Sequence, residues 1–176
     1  MKVRWNKVQM EAVKLLQKYN VRSAPVPLEN IADSLGVAIR KTKLDSKVDG
    51  FLYSTTGKSV IGVNQSNVRP RQRFTIAHEL GHFLLHRRQI LHVDEKDALS
   101  LRNQLSAQGV DPYEIEANSF AANLLMPREL LAGDLSTIRI DPEDTKGKRT
   151  IKLLADKYEV SEQALLIRLG TLGFIR

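Results

Sequence analysis

The chain lacks cysteine altogether, and it also lacks long apolar runs. Without cysteine, disulfide bonds and thiolate metal ligands are excluded, so any metal ion must be held through nitrogen and oxygen atoms. No apolar run approaches the length that a membrane-spanning helix needs, and we expect no membrane partner. Residues 1–20 mix lysines with apolar residues at helical spacing, unlike the apolar core of a signal peptide. We therefore expect a cytoplasmic protein.

The remaining composition is that of an ordinary globular protein. Of 176 residues, 42% are hydrophobic and 27% are charged, and the formal net charge is +7. This length fits one domain, or one domain with a small appendage, and can bury a hydrophobic core. The positive charge favours nucleic acid or an acidic partner, and Arg69, Arg71 and Arg73 form one of its clusters. A solvated basic surface without a specific partner explains the charge equally well, so direct nucleic-acid binding stays open.

The pattern of apolar residues predicts an α+β fold. Residues 51–53 and 59–63 flank a turn and predict an antiparallel hairpin, and residues 37–39 predict a further strand. Apolar residues at helical spacing predict helices over residues 8–19, 28–35, 70–86, 113–126, 127–131, 151–158 and 161–169. Residues 133–149 are rich in Asp, Pro, Gly and Lys and are predicted to form a loop. We expect a mostly helical protein with a small antiparallel or mixed sheet.

All four histidines lie between positions 78 and 92, and two of them flank Glu79 in the run His-Glu-Leu-Gly-His. Residues four apart on an α-helix share one face, about 5–6 Å apart at Cβ, so His78 and His82 can reach one ion. Glu79 points about 100° away and can address a water molecule on that ion. The run is the zincin metal signature, and it predicts a hydrolytic zinc site on a helix next to the small sheet.

Two histidines leave a catalytic zinc site incomplete, because such sites normally have three protein ligands. His86 lies about 12 Å along the helix axis from His78, which is too far for one ion. His92 stays open as a ligand from a loop. Glu116 is favoured, because it shares an apolar stripe with residues 120, 121 and 124, and a buried carboxylate needs a cation. Glu114 lies about 200° around the helix and is expected to face solvent.

Three stretches carry a likeness that is more specific than the histidine motif alone. They are residues 71–86, residues 116–122 and the Leu-Leu-Met-Pro run at residues 124–127. Together they resemble the ImmA/IrrE-type metallopeptidases of bacteria and their mobile elements. The resemblance implies a gluzincin-like site in which His78 and His82 bind zinc, Glu79 is the catalytic base and Glu116 is the third ligand. One Zn²⁺ per chain is expected, with Mn²⁺ as the alternative.

Members of this family act as anti-repressors that cut a helix-turn-helix transcriptional repressor in phage-like elements or in a DNA-damage response. The resemblance therefore implies a zinc endopeptidase whose partner is a protein substrate, a helix-turn-helix repressor. It further implies a zincin-like metallopeptidase domain over residues 1–135. Residues 136–176 are expected to form a linker and a helix-turn-helix-like pair packed on that domain. The identity of the substrate and the oligomeric state stay open.

The implied reaction is peptide hydrolysis. Glu79 is expected to take a proton from a zinc-activated water and to return it to the leaving amine. Tyr113, His92 and His86 are open candidates for the donor to the oxyanion. In zincins generally the substrate runs extended beside an edge strand, and residues 59–63 are the predicted edge.

Two other classes of function compete with a peptidase. In the first, the chain is a DNA-binding or partner-sensing regulator that uses residues 151–169 as a helix-turn-helix. Its second helix carries a single basic residue, Arg168, and the acidic Glu162 near the end that would meet DNA, which disfavours this class. In the second, the chain keeps the metal ligands but is non-catalytic or gated. The sequence does not separate that class from an active enzyme.

Overall fold

The computed structural model describes residues 2–86, 91–95, 111–136 and 140–175, and these ranges contain seven helices and four strands. In chain order the elements are α1 (Trp5–Lys18), α2 (Leu28–Ser34), β1 (Val37–Thr42), β2 (Val48–Thr55), β3 (Lys58–Asn64), α3 (Arg69–Leu85), β4 (Leu91–Glu95), α4 (Pro112–Leu125), α5 (Arg128–Asp134), α6 (Thr145–Tyr158) and α7 (Glu162–Leu172). The expected α+β architecture is confirmed. None of the described helices combines the length and hydropathy that crossing a bilayer requires.

The strands form one mixed sheet in the order β1-β3-β2-β4. β1 pairs with β3 in parallel, whereas β2 is antiparallel to both β3 and β4. The predicted hairpin is confirmed, and its turn contains Gly57 at a φ of +90°. Glycine adopts that backbone conformation without steric cost, because it has no Cβ.

The prediction that residues 59–63 form an edge strand is wrong. β3 lies between β1 and β2 and pairs with both. The parallel partner is far away in the chain, so no local pattern reveals that it covers β3. The sheet edge nearest the histidine motif is instead β4, where His92 contacts Glu79 of α3. The apolar pattern of the sequence does not predict β4.

The helix that carries the histidine motif, α3, lies in the interior of the fold. Pro70 stands in its first turn, as predicted, where a missing N–H costs nothing. The helix contacts β2 and β3 of the sheet as well as α2 and α4. As a result its buried residues include the polar side chains Arg73, Thr75, His78, Glu79 and His82. Buried polar groups are costly unless they find partners, so the surrounding elements must supply them.

Helices α3 and α4 approach each other closely at Gly81. A β-carbon at this position would lie 3.1 Å from Cα of Ala117 and 3.1 Å from the ring of Phe120. Glycine costs about 1 kcal/mol in a helix relative to alanine. Here its lack of a side chain allows the backbone of α4 to reach the helix that carries the histidines.

Capping side chains set the starts of α6 and α7. The loop predicted over residues 133–149 is wrong at both ends, because α5 continues to Asp134 and α6 begins at Thr145, and residues 137–139 lie outside the described residues. The carboxylate of Asp144 accepts a hydrogen bond from the backbone N–H of Gly147 at 2.5 Å and so caps the helix. Ser161 caps α7 as predicted, with its hydroxyl oxygen accepting a backbone N–H at 3.1 Å.

The α6–α7 pair packs against the preceding part of the chain. Tyr158 is fully buried, and its hydroxyl donates to Asp134 at 2.9 Å. Arg168 donates to the carbonyl of Met126 at 3.2 Å and to the side chain of Asn123 at 2.9 Å. Buried apolar residues from both parts form one continuous cluster. The division into units at residues 135 and 136 stays a prediction.

We expect Gly81→Val to lower the free energy of unfolding by about 1–3 kcal/mol, because the added side chain would push α3 away from α4. Gly170→Ala is the matched control, since a β-carbon at this site in α7 meets nothing within 4 Å. That control should gain about 0.5–1 kcal/mol from its better helix propensity. Urea denaturation measures both changes. A neutral Gly81→Val would show that the close approach of the two helices does not limit stability.

Candidate metal centre

His78 and His82 lie one turn apart on α3 and direct their Nε2 atoms to one point. These two atoms are 3.0 Å apart, and the residues are 0% and 1% exposed. Two imidazole nitrogens that meet at this distance share either a proton or a cation. The structure therefore brings together the two histidines that the motif singles out.

Glu114 supplies a third donor group to the same point. Its Oε2 lies 3.3 Å from Nε2 of His78, and its Oε1 lies 3.2 Å from Nε2 of His82. Oε2 is buried and accepts no hydrogen bond from any residue that the structure describes. Ligand atoms bound tetrahedrally to zinc at about 2.0–2.2 Å are about 3.3–3.6 Å apart. The observed separations of 3.0–3.3 Å lie within a few tenths of an ångström of this range, so the two imidazoles and the carboxylate fit a zinc ion.

The structure does not bring Glu116 to the histidine pair. Its carboxylate accepts from Nη2 of Arg4 at 2.5 Å and from Nε2 of His86 at 3.0 Å. A buried carboxylate does need a cation, but the cation beside Glu116 is the guanidinium of Arg4. The expectation that Glu114 faces solvent is wrong. Helix α4 contacts both α1 and α3, so it buries more than the one face that the apolar stripe indicated.

Asn118 sets the orientation of His78. Its Oδ1 lies 2.9 Å from Nδ1 of His78, in the interior between α3 and α4. An amide oxygen can only accept a hydrogen bond, so Nδ1 carries the imidazole proton. Nε2 of His78 then presents its lone pair to the point shared with His82 and Glu114. Metal-binding histidines are commonly oriented in this way.

Glu79 is buried beside the histidine pair, and its carboxylate contacts His92. Nδ1 of His92 lies 3.3 Å and 3.2 Å from the two oxygens of Glu79, and Nε2 lies 2.9 Å from Oε1 of Glu114. Burial lowers the pKa of His92, but the hydrogen bonds to Glu114 and Glu79 outweigh it and raise the pKa to about 10. The His92 ring also stacks on His82, with centroids 3.8 Å apart. His92 therefore bridges the two carboxylates nearest to the pair.

Burial also controls the charge of two further groups. It lowers the pKa of His82 to about 3, so this imidazole is neutral and keeps a lone pair. On β4, burial raises the pKa of Asp94 to about 8, and neither oxygen accepts a hydrogen bond from a described residue. Asp94 lies close to both His78 and Glu79. The raised pKa favours the protonated carboxyl, which adds no second negative charge beside Glu79.

His86 has no ring nitrogen left for a substrate. Its Nδ1 lies 3.1 Å from Nδ1 of His82, and its Nε2 donates to Glu116. The ring of Tyr113 packs edge-on against His86 with centroids 4.6 Å apart. Of the candidates for the oxyanion donor, Tyr113 is 37% exposed and the side chain of His92 is 13% exposed, so these two are more accessible to a substrate than His86. Both nitrogens of His92 already contact carboxylates, so His92 would have to give up one of these contacts to donate to an oxyanion.

The cluster of Arg69, Arg71 and Arg73, which suggested nucleic acid, binds within the chain. Near the start of α3, Arg69 pairs with Glu159, Arg71 with Asp49, and Arg73 donates to the carbonyl of Val26. Arg168, the one basic residue of the proposed recognition helix, is only 8% exposed. These contacts weaken the DNA-binding hypothesis.

Sequence reasoning missed Glu114 and Asn118 on α4, and it missed the position of His92 on a strand. A signal for α4 was present in the sequence. Glu114 and Asn118 are four residues apart and share a helix face, as His78 and His82 do on α3. Apolar residues also occupy several sides of α4, which is typical of a helix with more than one buried face.

Known proteins resemble this chain in sequence and in fold. Residues 32–170 match the model of a peptidase family, M78, described as the IrrE N-terminal-like domain. The uncharacterized immunity region protein 2 of Bacillus phage phi105 is 30% identical over 115 residues. That match covers 65% of this chain and spans 65% of the length of the relative.

A solved structure adds a likeness in fold alone. A Mycobacterium tuberculosis transcriptional regulator superposes with a TM-score of 0.61 and 18% identity, over 93% of this chain and 46% of that one. The family match includes both the histidine motif and the whole of α4. Together with the immunity region relative, it shows that this chain belongs to the ImmA/IrrE-type family of metallopeptidases.

Proposed function

We propose that this chain is a zinc-dependent endopeptidase in which His78, His82 and Glu114 hold the metal and Glu79 is the catalytic base. The observation that carries the proposal is the convergence of two Nε2 atoms and one carboxylate, with 3.0–3.3 Å between them. Catalytic zinc sites commonly use two histidines and a glutamate, and they leave a fourth position for water or substrate.

Residues around the proposed metal would carry the proton transfers of hydrolysis. When bound, zinc polarises the scissile carbonyl and lowers the pKa of water there to about 7. Glu79 takes one proton from that water as the water oxygen bonds to the carbonyl carbon. It then delivers the proton to the amide nitrogen as the C–N bond breaks. Its carboxylate is fully buried, which separates this transfer from bulk solvent.

An extended substrate would lie along β4. This strand pairs with β2 on one side, and no described strand covers its other side. The free backbone of such an edge can accept a peptide as an additional strand. His92 belongs to this edge and contacts Glu79, so a peptide added there would pass beside the proposed base.

The proposed substrate is a helix-turn-helix repressor, which makes the protein an anti-repressor. The support is membership of the family together with the phage relative, which is named as an immunity region protein. We further propose the two-part organisation, with residues 1–135 as the peptidase domain. Residues 136–176 would brace that domain rather than bind DNA, since Arg168 is buried.

Replacement of the base separates a peptidase from a non-catalytic metal protein. Glu79→Gln keeps the side-chain shape and an oxygen that can accept from His92, but it cannot take the proton. We expect bound zinc to be unchanged and cleavage of the repressor encoded beside the gene to fall about 10²–10⁴-fold. Equal cleavage by both proteins would contradict the role of Glu79. Zinc binding without cleavage by either protein would favour a non-catalytic or gated site.

Removing carboxylates from α4 separates the two candidate ligands. Glu114→Ala is expected to lose stoichiometric zinc, because it deletes one of the three proposed donors. Glu116→Ala is the matched variant, two residues away, and is expected to keep its zinc with reduced affinity. Metal analysis after gel filtration in chelator-free buffer measures both. The reverse result would make Glu116 the ligand.

Removing polar groups near the site identifies the oxyanion donor. His92→Phe preserves a ring against His82 but removes both nitrogens, and we expect kcat to fall about 10²–10³-fold with zinc retained. Tyr113→Phe removes only a hydroxyl and should leave kcat near the wild-type value. A large loss in Tyr113→Phe alone would assign the role to Tyr113.

A further inference from the structure

A continuous row of polar contacts runs from Arg4 to the histidine pair. Arg4 donates to Glu116 from its backbone N at 2.7 Å and from its guanidinium at 2.5–3.2 Å. Glu116 accepts from Nε2 of His86 at 3.0 Å, and Nδ1 of His86 lies 3.1 Å from Nδ1 of His82. The row of contacts thus ends on the side of His82 that faces away from the proposed metal.

The side chains in this row of contacts are mostly buried, so few alternative hydrogen-bond partners are within reach. Glu116 is 0% exposed, and the side chains of His86 and His82 are 2% and 1% exposed. The side chain of Arg4 is 37% exposed, so the contacts connect the protein surface with the metal site. Each buried polar atom in this row depends on the next residue for its hydrogen bond.

The identities of the donors and acceptors determine where the protons lie. A carboxylate only accepts, so Nε2 of His86 carries a proton. A neutral His86 then presents a lone pair at Nδ1, and the facing Nδ1 of His82 carries the proton between them. His82 is left with a lone pair at Nε2, which is the atom that points to His78 and Glu114.

We propose that Arg4, Glu116 and His86 form a positioning relay that holds His82 in the ring orientation and tautomer required for metal binding. This inference rests on the proposed function. His82 has His86 behind it, as His78 has Asn118. Arg4 supplies the positive charge that stabilises Glu116 as a carboxylate in the interior. Glu116 and His86 direct their polar atoms to each other, to Arg4 and to His82, so the three residues act through His82.

Zinc affinity of the full-length chain tests the relay, measured by competition with a chromophoric chelator. The variants are Glu116→Gln, His86→Phe and Arg4→Ala, and Arg4→Lys is a conservative replacement that keeps the charge. Loss of a partner behind a metal-binding histidine typically weakens binding about 10–100-fold. We expect such a loss for Glu116→Gln and His86→Phe. Arg4→Ala should change in the same direction, and Arg4→Lys should be closer to wild type.

The matched control is Arg69→Ala, which breaks another arginine–glutamate pair. Arg69 binds Glu159 through two contacts of 2.8 Å and 3.0 Å, away from the histidine pair. Its zinc affinity should equal that of wild type. The Co²⁺ absorption spectrum is a second readout, since it reports ligand geometry. It should change in His86→Phe and stay unchanged in Arg69→Ala.

Unchanged zinc affinity in all three relay variants would overturn the relay, and so would an equal loss in Arg69→Ala. If Glu116→Gln and His86→Phe do not fold, Arg4→Ala still tests the relay, because the side chain of Arg4 is partly exposed. His78→Ala separates this result from failure of the metal site itself. If wild type binds no zinc, or His78→Ala binds as wild type does, the proposed metal centre fails and the relay fails with it.

Discussion

Burial of a polar helix is the constraint on which the rest of the structure depends. Helix α3 places His78, Glu79 and His82 in the interior, where an unpartnered polar group costs roughly 1–3 kcal/mol. Neighbouring elements supply the hydrogen-bond partners that these buried polar groups need. Helix α4 provides Glu114 and Asn118, and β4 provides His92. The groups that would perform the chemistry are thus also groups that make burial of α3 tolerable.

The partners can reach α3 only because α4 lies close to it. Gly81 permits that approach one residue before His82. An imidazole extends only a few ångströms from its backbone, so a wider gap between the helices would separate the donors. The same closeness explains why α4 serves two sets of contacts. Glu114 and Asn118 meet the site itself, while Glu116 meets Arg4 and His86.

The sequence was enough to predict what depends on local spacing. A four-residue interval placed His78 and His82 on one helix face, and capping chemistry identified Ser161. What it could not predict depends on contacts between distant segments. The apolar stripe of α4 predicts that Glu116 is buried, but it does not reveal that Arg4, 112 residues earlier, is its partner. Likewise, residues 59–63 were predicted to form an edge strand because the local pattern does not reveal the parallel pairing of β3 with β1, from which it is separated in the chain by β2.

The C-terminal helices α6 and α7 contact the ends of α3 and α4, the two helices that carry most of the candidate metal site. The turn between α6 and α7 holds Glu159 in a left-handed conformation, and its carboxylate pairs with the buried Arg73 of α3. Arg168 on α7 binds the carbonyl of Met126 at the end of α4. Because Arg168 is buried in these contacts, α7 cannot use it to bind the phosphate groups of DNA. The helix-turn-helix-like pair is therefore better suited to fix α3 and α4 relative to each other than to read DNA.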